Sequence, residues 1–581
     1  MNVLFIVLGC GVIYLIAYLT YGKFISKKVF QLDDSKKTPA VELNDGNDFV
    51  PAKKGFLLGQ HFSAIAAAGP INGPILAAMM FGWAPAIAWC ILGSIFIGGV
   101  HDMGTLVASI RYKAKSITEV IRVNVTKRAW MLFMIFIWIT LVYIIVAFTD
   151  LTAGSFVGAQ TLENGEKVLG GGIATSSILY LILPMIMGLL MRKFKWLTEG
   201  KAIIIFLPLV AVAIVVGQYI PVNLPVADEV LARKVWAVLV LAYCLVAAVL
   251  PMWLLLQPRG ALGGYFLYAA LIFAAIGLIL GGFKVEYPAF KGFAAPNHGN
   301  QPLFPILFIT VACGACSGFH ALVSSGTTSK QLTAESHAKP IGYGGMLLEG
   351  MVACVSVACV MIIAKDSILL SKAPNFIYAN GIGAFMQKIG IPAKVGISFG
   401  LLAFTTFVYD TLDVCTRLGR YIFEELTGWK DLRGKALGTI LTTVVPLIFI
   451  FQTMYMVGAD GNVLLNADGT KRVASAWSIF WGTFGASNQL LAALALIGVS
   501  VWLKNVVKTP FVWLVSFLPA VWMYVMSMWA LIIAIHTGWV KGAGHPVIPY
   551  VSLVLVILAI WVGVESVISM AKKKAPAVAA A

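Results

Sequence analysis

The sequence predicts an all-α polytopic membrane protein of about fifteen transmembrane helices, on three observations. Of 581 residues, 60% are hydrophobic and only 12% are charged, against roughly 25% charged in a soluble globular chain. Apolar stretches close to the ~20 residues that span a bilayer as a helix recur from residue 3 to residue 569. Lys and Arg crowd into the short polar gaps between these stretches, the pattern by which cytoplasmic loops fix orientation. Lipid is therefore the expected solvent, and no stretch is left for a large soluble domain.

The first run, 3–22, lacks a basic start and a small-residue cleavage site, so it counts as a span and not as a removable leader. A basic loop, Lys23 to Lys54, follows. Apolar runs bounded by turn residues then place spans at 57–80, 84–108, 129–149, 175–191 and 200–219. Two more lie at 235–256 and 262–282, and a second group at 303–325, 343–364, 396–414, 436–457 and 477–503. Runs at 511–534 and 548–569 complete the set.

With the N-terminus outside and the C-terminus in the cytoplasm, about 30 of the 42 Lys and Arg fall on the cytoplasmic side and about 12 outside. The bias is carried by Lys23–Lys54, Arg111–Arg128, Arg192–Lys201, Arg417–Lys435 and Lys572–Lys574. The net charge of +17 thus reads as topology, and nucleic acid is not an expected partner. Nearly all eight cysteines sit inside apolar runs, where a thiol behaves as a small hydrophobe. No Walker loop is present, no catalytic signature emerges, and Cys313-x-x-Cys316 has no companion pair. No enzyme activity, cofactor or metal is expected.

Two spans contain turn formers: Gly69-Pro70-Ile71-Asn72-Gly73-Pro74 in the second, and Cys313-Gly314-Ala315-Cys316-Ser317-Gly318 in the ninth. Proline removes an amide donor and clashes with the preceding turn, and lipid tolerates no exposed main chain. Breaks of this kind survive where they are buried in protein or line a cavity, and paired breaks point to a carrier's binding site. Each opens a run of five spans. The chain is therefore read as one membrane domain over 1–581, with a first helix and cytoplasmic loop at 1–56. A five-helix repeat at 57–219, two helices at 220–302, a second repeat at 303–503 and C-terminal helices at 504–581 follow. An odd number of helices per repeat inverts the second copy across the membrane.

Ionisable groups at membrane depth mark a pathway, a relay or a pair. His61 precedes the first break and His320 follows the second, so each binds a substrate carboxylate, relays a proton or satisfies a carbonyl of the broken main chain. The substrate-binding candidates are His61, Gly69, Asn72, Gly73, Ser317, Gly318, His320, Ser324, Ser325, Thr327, Thr328, Asn488 and Gln489. The hydroxyl run from Ser324 suits a carboxylate or Na⁺, and the Asn488-Gln489 amides fit a pathway or a helix contact equally. The ion-coupling candidates are His101, Asp102, Glu349, Asp410 and Asp413. Neighbours in sequence do not face each other on a helix, so Asp102 is expected to find its partner elsewhere. Asp410, Asp413, Arg417 and Arg420 fall on one helix face, where pairing among themselves accounts for them.

Three segments carry a family resemblance. They are Gly59-Gln60-His61-Phe62-Ser63-Ala64-Ile65 with Ala68 to Ala77, Ala312 to Thr328, and Phe484-Gly485-Ala486-Ser487-Asn488-Gln489-Leu490-Leu491-Ala492. Together they resemble the signatures of the carbon starvation protein A (CstA) family over about residues 55–505. The resemblance implies a bacterial cytoplasmic-membrane transporter induced in carbon starvation, which imports peptides or pyruvate, with proton symport suggested by its pyruvate-importing members. It also implies a five-plus-five inverted repeat like that of the amino acid-polycation-organocation superfamily. The expected mechanism is alternating access with the substrate between the two breaks. A starvation sensor, a membrane-embedded enzyme and an ion channel remain alternatives. Pyruvate against peptide, H⁺ against Na⁺, and the oligomeric state stay open.

Overall fold

The computed structural model describes residues 1–46, 48–161, 165–296, 299–429, 431–457, 462–466, 469–507, 509–542 and 545–571. Lys572–Lys574, used in the orientation argument, lie outside the described residues. Among the described residues, fourteen helices are long and apolar enough to cross a membrane, and a bent pair, Lys54–Ile65 and Gly69–Phe81, makes up to fifteen. Each expected run corresponds to one of these elements. The chain is a multi-pass membrane protein.

Helix starts follow local chemistry. The side chains of Asn2, Thr126, Asp228 and Asp431 accept hydrogen bonds from first-turn amides that have no partner within the helix. The spans sort into two populations. Leu303–Thr328, Glu335–Met361, Ala393–Thr427 and Ala476–Val506 are almost wholly buried in protein. Val3–Val29, Leu432–Phe451, Leu514–Trp539 and Val547–Ala571 turn most of their surface outward, presenting large apolar side chains such as Leu8, Ile448, Leu518 and Val567. Lipid accounts for that belt, since an apolar surface this extensive is absent from soluble monomers.

Three departures from the expected layout matter. Pro374–Gln387 is a 14-residue helix, too short to cross, at a place where the apolar pattern predicts no element. It packs tightly, with Gly277 against the Phe385 backbone and Gly400 against Ala379. The run expected at 235–256 stops as a helix at Ala247, and the next helix begins at Leu256, six residues before the expected start at 262. The interruption of the second span falls at 66–68, just ahead of Gly69-Pro70. Pro70 then occupies the first turn of Gly69–Phe81, where its missing N–H costs nothing, and Pro74 sits within the same helix.

The two halves of the second span are bent by 46°. The ninth span ends its first half at Val311, passes through Ala312 at φ 37°, and resumes as a helix at Gly318–Val323. The turn Ser324–Thr328 then closes with π-type hydrogen bonds.

Candidate functional site

The two broken helices cross face to face, through glycines. A Cβ on Gly69 would overlap the Cys313 side chain, and one on Gly73 would overlap the carbonyl oxygens of Thr310 and Val311. Gly314 in turn packs under Pro70 and Pro74. The breaks therefore meet as expected, but the space between them is filled with protein. A Cβ on Gly318 would likewise overlap the backbone of Asn488 and Ala492. Gly69, Gly73 and Gly318, expected to bind substrate, are close-packing positions in this conformation.

Asn488 and Gln489 satisfy the main chain freed by the second break. The Asn488 Oδ1 accepts from Phe319 N at 2.9 Å, and its Nδ2 donates to Ser317 Oγ at 3.0 Å. Gln489 Nε2 donates to the Phe308 carbonyl, which the kink at Ala312 leaves without its helical partner. One amide pair thus caps both ends of the gap. The start of the Gly318–Val323 helix is consequently occupied by Asn488.

Beside the crossing lies a chain of titratable groups with no exposed surface. Asp102 Oδ1 is 2.8 Å from His101 Nδ1, and its Oδ2 is 2.8 Å from His320 Nδ1. His320 Nε2 lies 3.2 Å from Glu349 Oε2, a contact outside hydrogen-bond alignment. Three spans contribute: Asp102 from Trp83–Arg111, His320 from the second broken helix and Glu349 from Glu335–Met361. Asp102 does find the partner on another helix that its sequence demanded. It also contacts its own neighbour His101, against the expectation from helix spacing.

A second buried cluster surrounds Arg259, a residue that sequence reasoning misses. Arg259 is completely buried; its Nε donates to Asp410 Oδ1 at 2.6 Å, and its Nη1 donates to Asp413 Oδ2 and to the Tyr243 hydroxyl. Tyr243 also donates to Asp413 Oδ2 at 2.8 Å. Ser63, two residues past His61 on the first broken helix, donates to Asp410 Oδ2. Pairing of the aspartates with Arg417 and Arg420 is overturned. Arg417 donates to the Ala247 and Leu250 carbonyls, and Arg420 pairs with Glu424. The aspartates point across to Arg259, while Arg417 reaches the frayed end of Glu229–Ala247.

The hydroxyl run is largely self-satisfied. Ser325 and Thr327 donate to carbonyls one turn back, at 2.6 and 2.9 Å, and Ser325 Oγ also accepts from Ile117 N. Ser324 Oγ has no hydrogen-bond partner among the described residues. Thr328 Oγ1 reaches the other broken helix, 2.9 Å from His61 Nδ1. His61 Nε2 and both amide atoms of Asn72 are buried without hydrogen-bond partners among the described residues. A cavity of ≈ 10 Å³, room for about one water, is lined by His61, Thr327, Thr328, Gly260 and Asp410. It places the His61 ring and the Arg259 cluster on one small space. A separate cleft of ≈ 1060 Å³ opens among Ser155, Gln160, Glu229, Lys372 and Asn380 and reaches inward to Cys359 and Leu401.

A bundle of up to fifteen spans, two of them broken and crossing beside buried ion chains, defines a membrane-embedded carrier. The profile of carbon starvation protein CstA matches residues 2–376 and 363–530, and the chain belongs to that family. A peptide transporter CstA of Helicobacter pylori is 32% identical over 564 residues, covering 86% of this chain and 77% of its own. The peptide transporter CstA of Bacillus subtilis is 30% identical, covering 91% and 90%. The pyruvate/proton symporter BtsT of Escherichia coli is also 30% identical, covering 91% and 81%. Among solved structures, a manganese transporter of Eremococcus coleocola shares the fold, with a TM-score of 0.52 at 12% identity over 92% of this chain and 99% of that one.

Proposed function

We propose that the chain imports a small carboxylate-bearing carbon source, pyruvate or a short peptide, into the bacterial cell by proton symport. The observation that carries the reading is the buried Asp102–His320–Glu349 chain, whose histidine lies on a broken helix. Two arrangements suit it: an imidazolium between two carboxylates, or a neutral imidazole donating to Asp102 and facing a protonated Glu349. Each holds one proton more than the ionised acids with a neutral ring, and each is reached from the other by moving that proton along the chain. A group of this kind, lodged on an element that moves, can carry H⁺ across. The named functions of the relatives, peptide transport and pyruvate/proton symport, agree with it.

With the N-terminus outside, the ≈ 1060 Å³ cleft faces outward as an entry vestibule. The cytoplasmic exit is closed by Arg111, which pairs with Glu335 at 3.0 Å and donates to the Phe30 and Gln31 carbonyls. Substrate reaches the space beside His61 and Thr328, whose side chains link the two broken helices directly. Rocking of one five-helix repeat, 57–219, against the other, 303–503, then exchanges access. Purified protein in proteoliposomes, given labelled pyruvate or dialanine under independently imposed pH and Na⁺ gradients, tests this. Accumulation that follows the pH gradient alone supports the proposal. Binding without counterflow exchange would make the chain a sensor instead.

A further inference from the structure

Arg259 has features that a purely structural ion pair does not need. Its guanidinium carries five N–H donors, and Nη2 is buried with no hydrogen-bond partner among the described residues, as is Oδ1 of Asp413. Two aspartates face one arginine, so with both ionised the cluster carries a net negative charge in a fully buried place. The neighbours that close it off, Tyr243, Tyr180 and Ser63, are hydroxyls that bring no second cation. Arg417, one turn beyond Asp413, is committed to backbone carbonyls. Asp410 and Gly260, on either side of the arginine, border the same small cavity as His61.

We infer that Arg259 is the receptor for the substrate's carboxylate, held in reserve by Asp410 and Asp413 until a proton enters with the anion. The inference rests on the carrier reading above and names the group that reads the substrate. A guanidinium fork matches a carboxylate edge to edge. Pyruvate and a peptide C-terminus present the same group, so one arginine serves both. An anion approaching the empty cluster meets surplus negative charge. Arriving with one proton, it leaves the net charge of the cluster unchanged. Charge balance at Arg259 thereby makes binding of the anion depend on a proton taken up by this cluster, separate from the proton that the Asp102–His320–Glu349 chain carries across. Ser63 ties Asp410 to the first broken helix, so a change in the aspartate's pairing is felt where the helix bends.

The test is the rise in unfolding temperature of detergent-purified protein on titration with sodium pyruvate, repeated with dialanine, at pH 5.5 and pH 7.5. Arg259→Lys keeps the charge and removes the fork, and should raise the half-effective concentration roughly 10- to 100-fold. Asp410→Asn should bind at pH 7.5 as tightly as wild type does at pH 5.5, because it no longer needs the proton. Folded Arg259→Lys protein that binds like wild type would overturn this inference alone. So would Asp410→Asn protein that keeps the wild-type pH dependence. Wild type unaffected by both ligands at both pH values would overturn the carrier reading itself, and the inference with it.

Discussion

Asn488→Ala separates a capping amide from a substrate ligand. The side chain is fully buried, accepts from Phe319 N at 2.9 Å and from Ser317 Oγ at 3.3 Å, and donates to Ser317 Oγ at 3.0 Å. Truncation strips the N-terminal cap from Gly318–Val323, a loss of about 0.5–2 kcal/mol. It also leaves the Phe319 N–H buried and unpaired, at about 1–3 kcal/mol. The two overlap, so the expected destabilisation is about 2–4 kcal/mol, or roughly 30- to 700-fold in the folded-to-unfolded ratio. Ser317→Ala spares the Phe319 contact and should cost about 0.5–1.5 kcal/mol. Because the two residues share a hydrogen bond, the double variant should fall short of the sum. Reversible unfolding of the purified protein in mixed micelles measures all three. An Asn488→Ala protein within about 0.5 kcal/mol of wild type that nevertheless loses uptake would refute the capping argument and return Asn488 to the substrate pathway.

Other outcomes follow from the same geometry. Gly73→Ala drives a methyl into the Thr310 and Val311 carbonyls and should destabilise by about 1–3 kcal/mol, read by the same unfolding assay. Gly69→Ala meets only the Cys313 side chain, so Cys313→Gly should rescue it and should not rescue Gly73→Ala. Glu335→Gln weakens the hold on Arg111 and on the Asp33 amide, and should speed thiol labelling of Ser35→Cys. In that same loop, hydrogen bonds from Ser336 hold the Asp34 carboxyl below its ordinary value of 3.8. Its contribution is therefore present above pH 3.8 and lost as pH falls below it, so the rate of Ser35→Cys labelling divided by that of free cysteine at the same pH, which cancels the change in thiolate fraction, should stay flat from pH 7 to 5 and rise only under stronger acid.

Much of this arrangement is legible without coordinates because lipid is a strict solvent. Apolar length alone marks the spans, and the Gly-Pro and Gly-Ser interruptions mark the two helices that break. His61, His320, Asp102 and Glu349 are visible because ionisable groups in apolar runs are rare. Arg259 is hidden by its surroundings. Pro258-Arg259-Gly260 reads as a basic loop between two spans, and only the tertiary fold carries it under Asp410 and Asp413. The one signal for it in the sequence is that Asp410 and Asp413 lie deeper in their apolar run than Arg417 and Arg420 do. Helix spacing misassigns those pairs, because it knows the neighbours on one helix and nothing of the helix opposite. The roles of Asn488 and Gln489 stay open in the sequence for a similar reason: a buried amide is the right chemistry for a ligand and for a broken backbone alike.

The central claim is that the Asp102–His320–Glu349 chain carries the coupling proton. Asp102→Asn keeps the shape and removes the charge, and the telling comparison is pH-gradient-driven accumulation against counterflow exchange of labelled substrate in the same proteoliposomes. The account predicts that the variant exchanges substrate and fails to accumulate it. Accumulation equal to wild type under the pH gradient would contradict it.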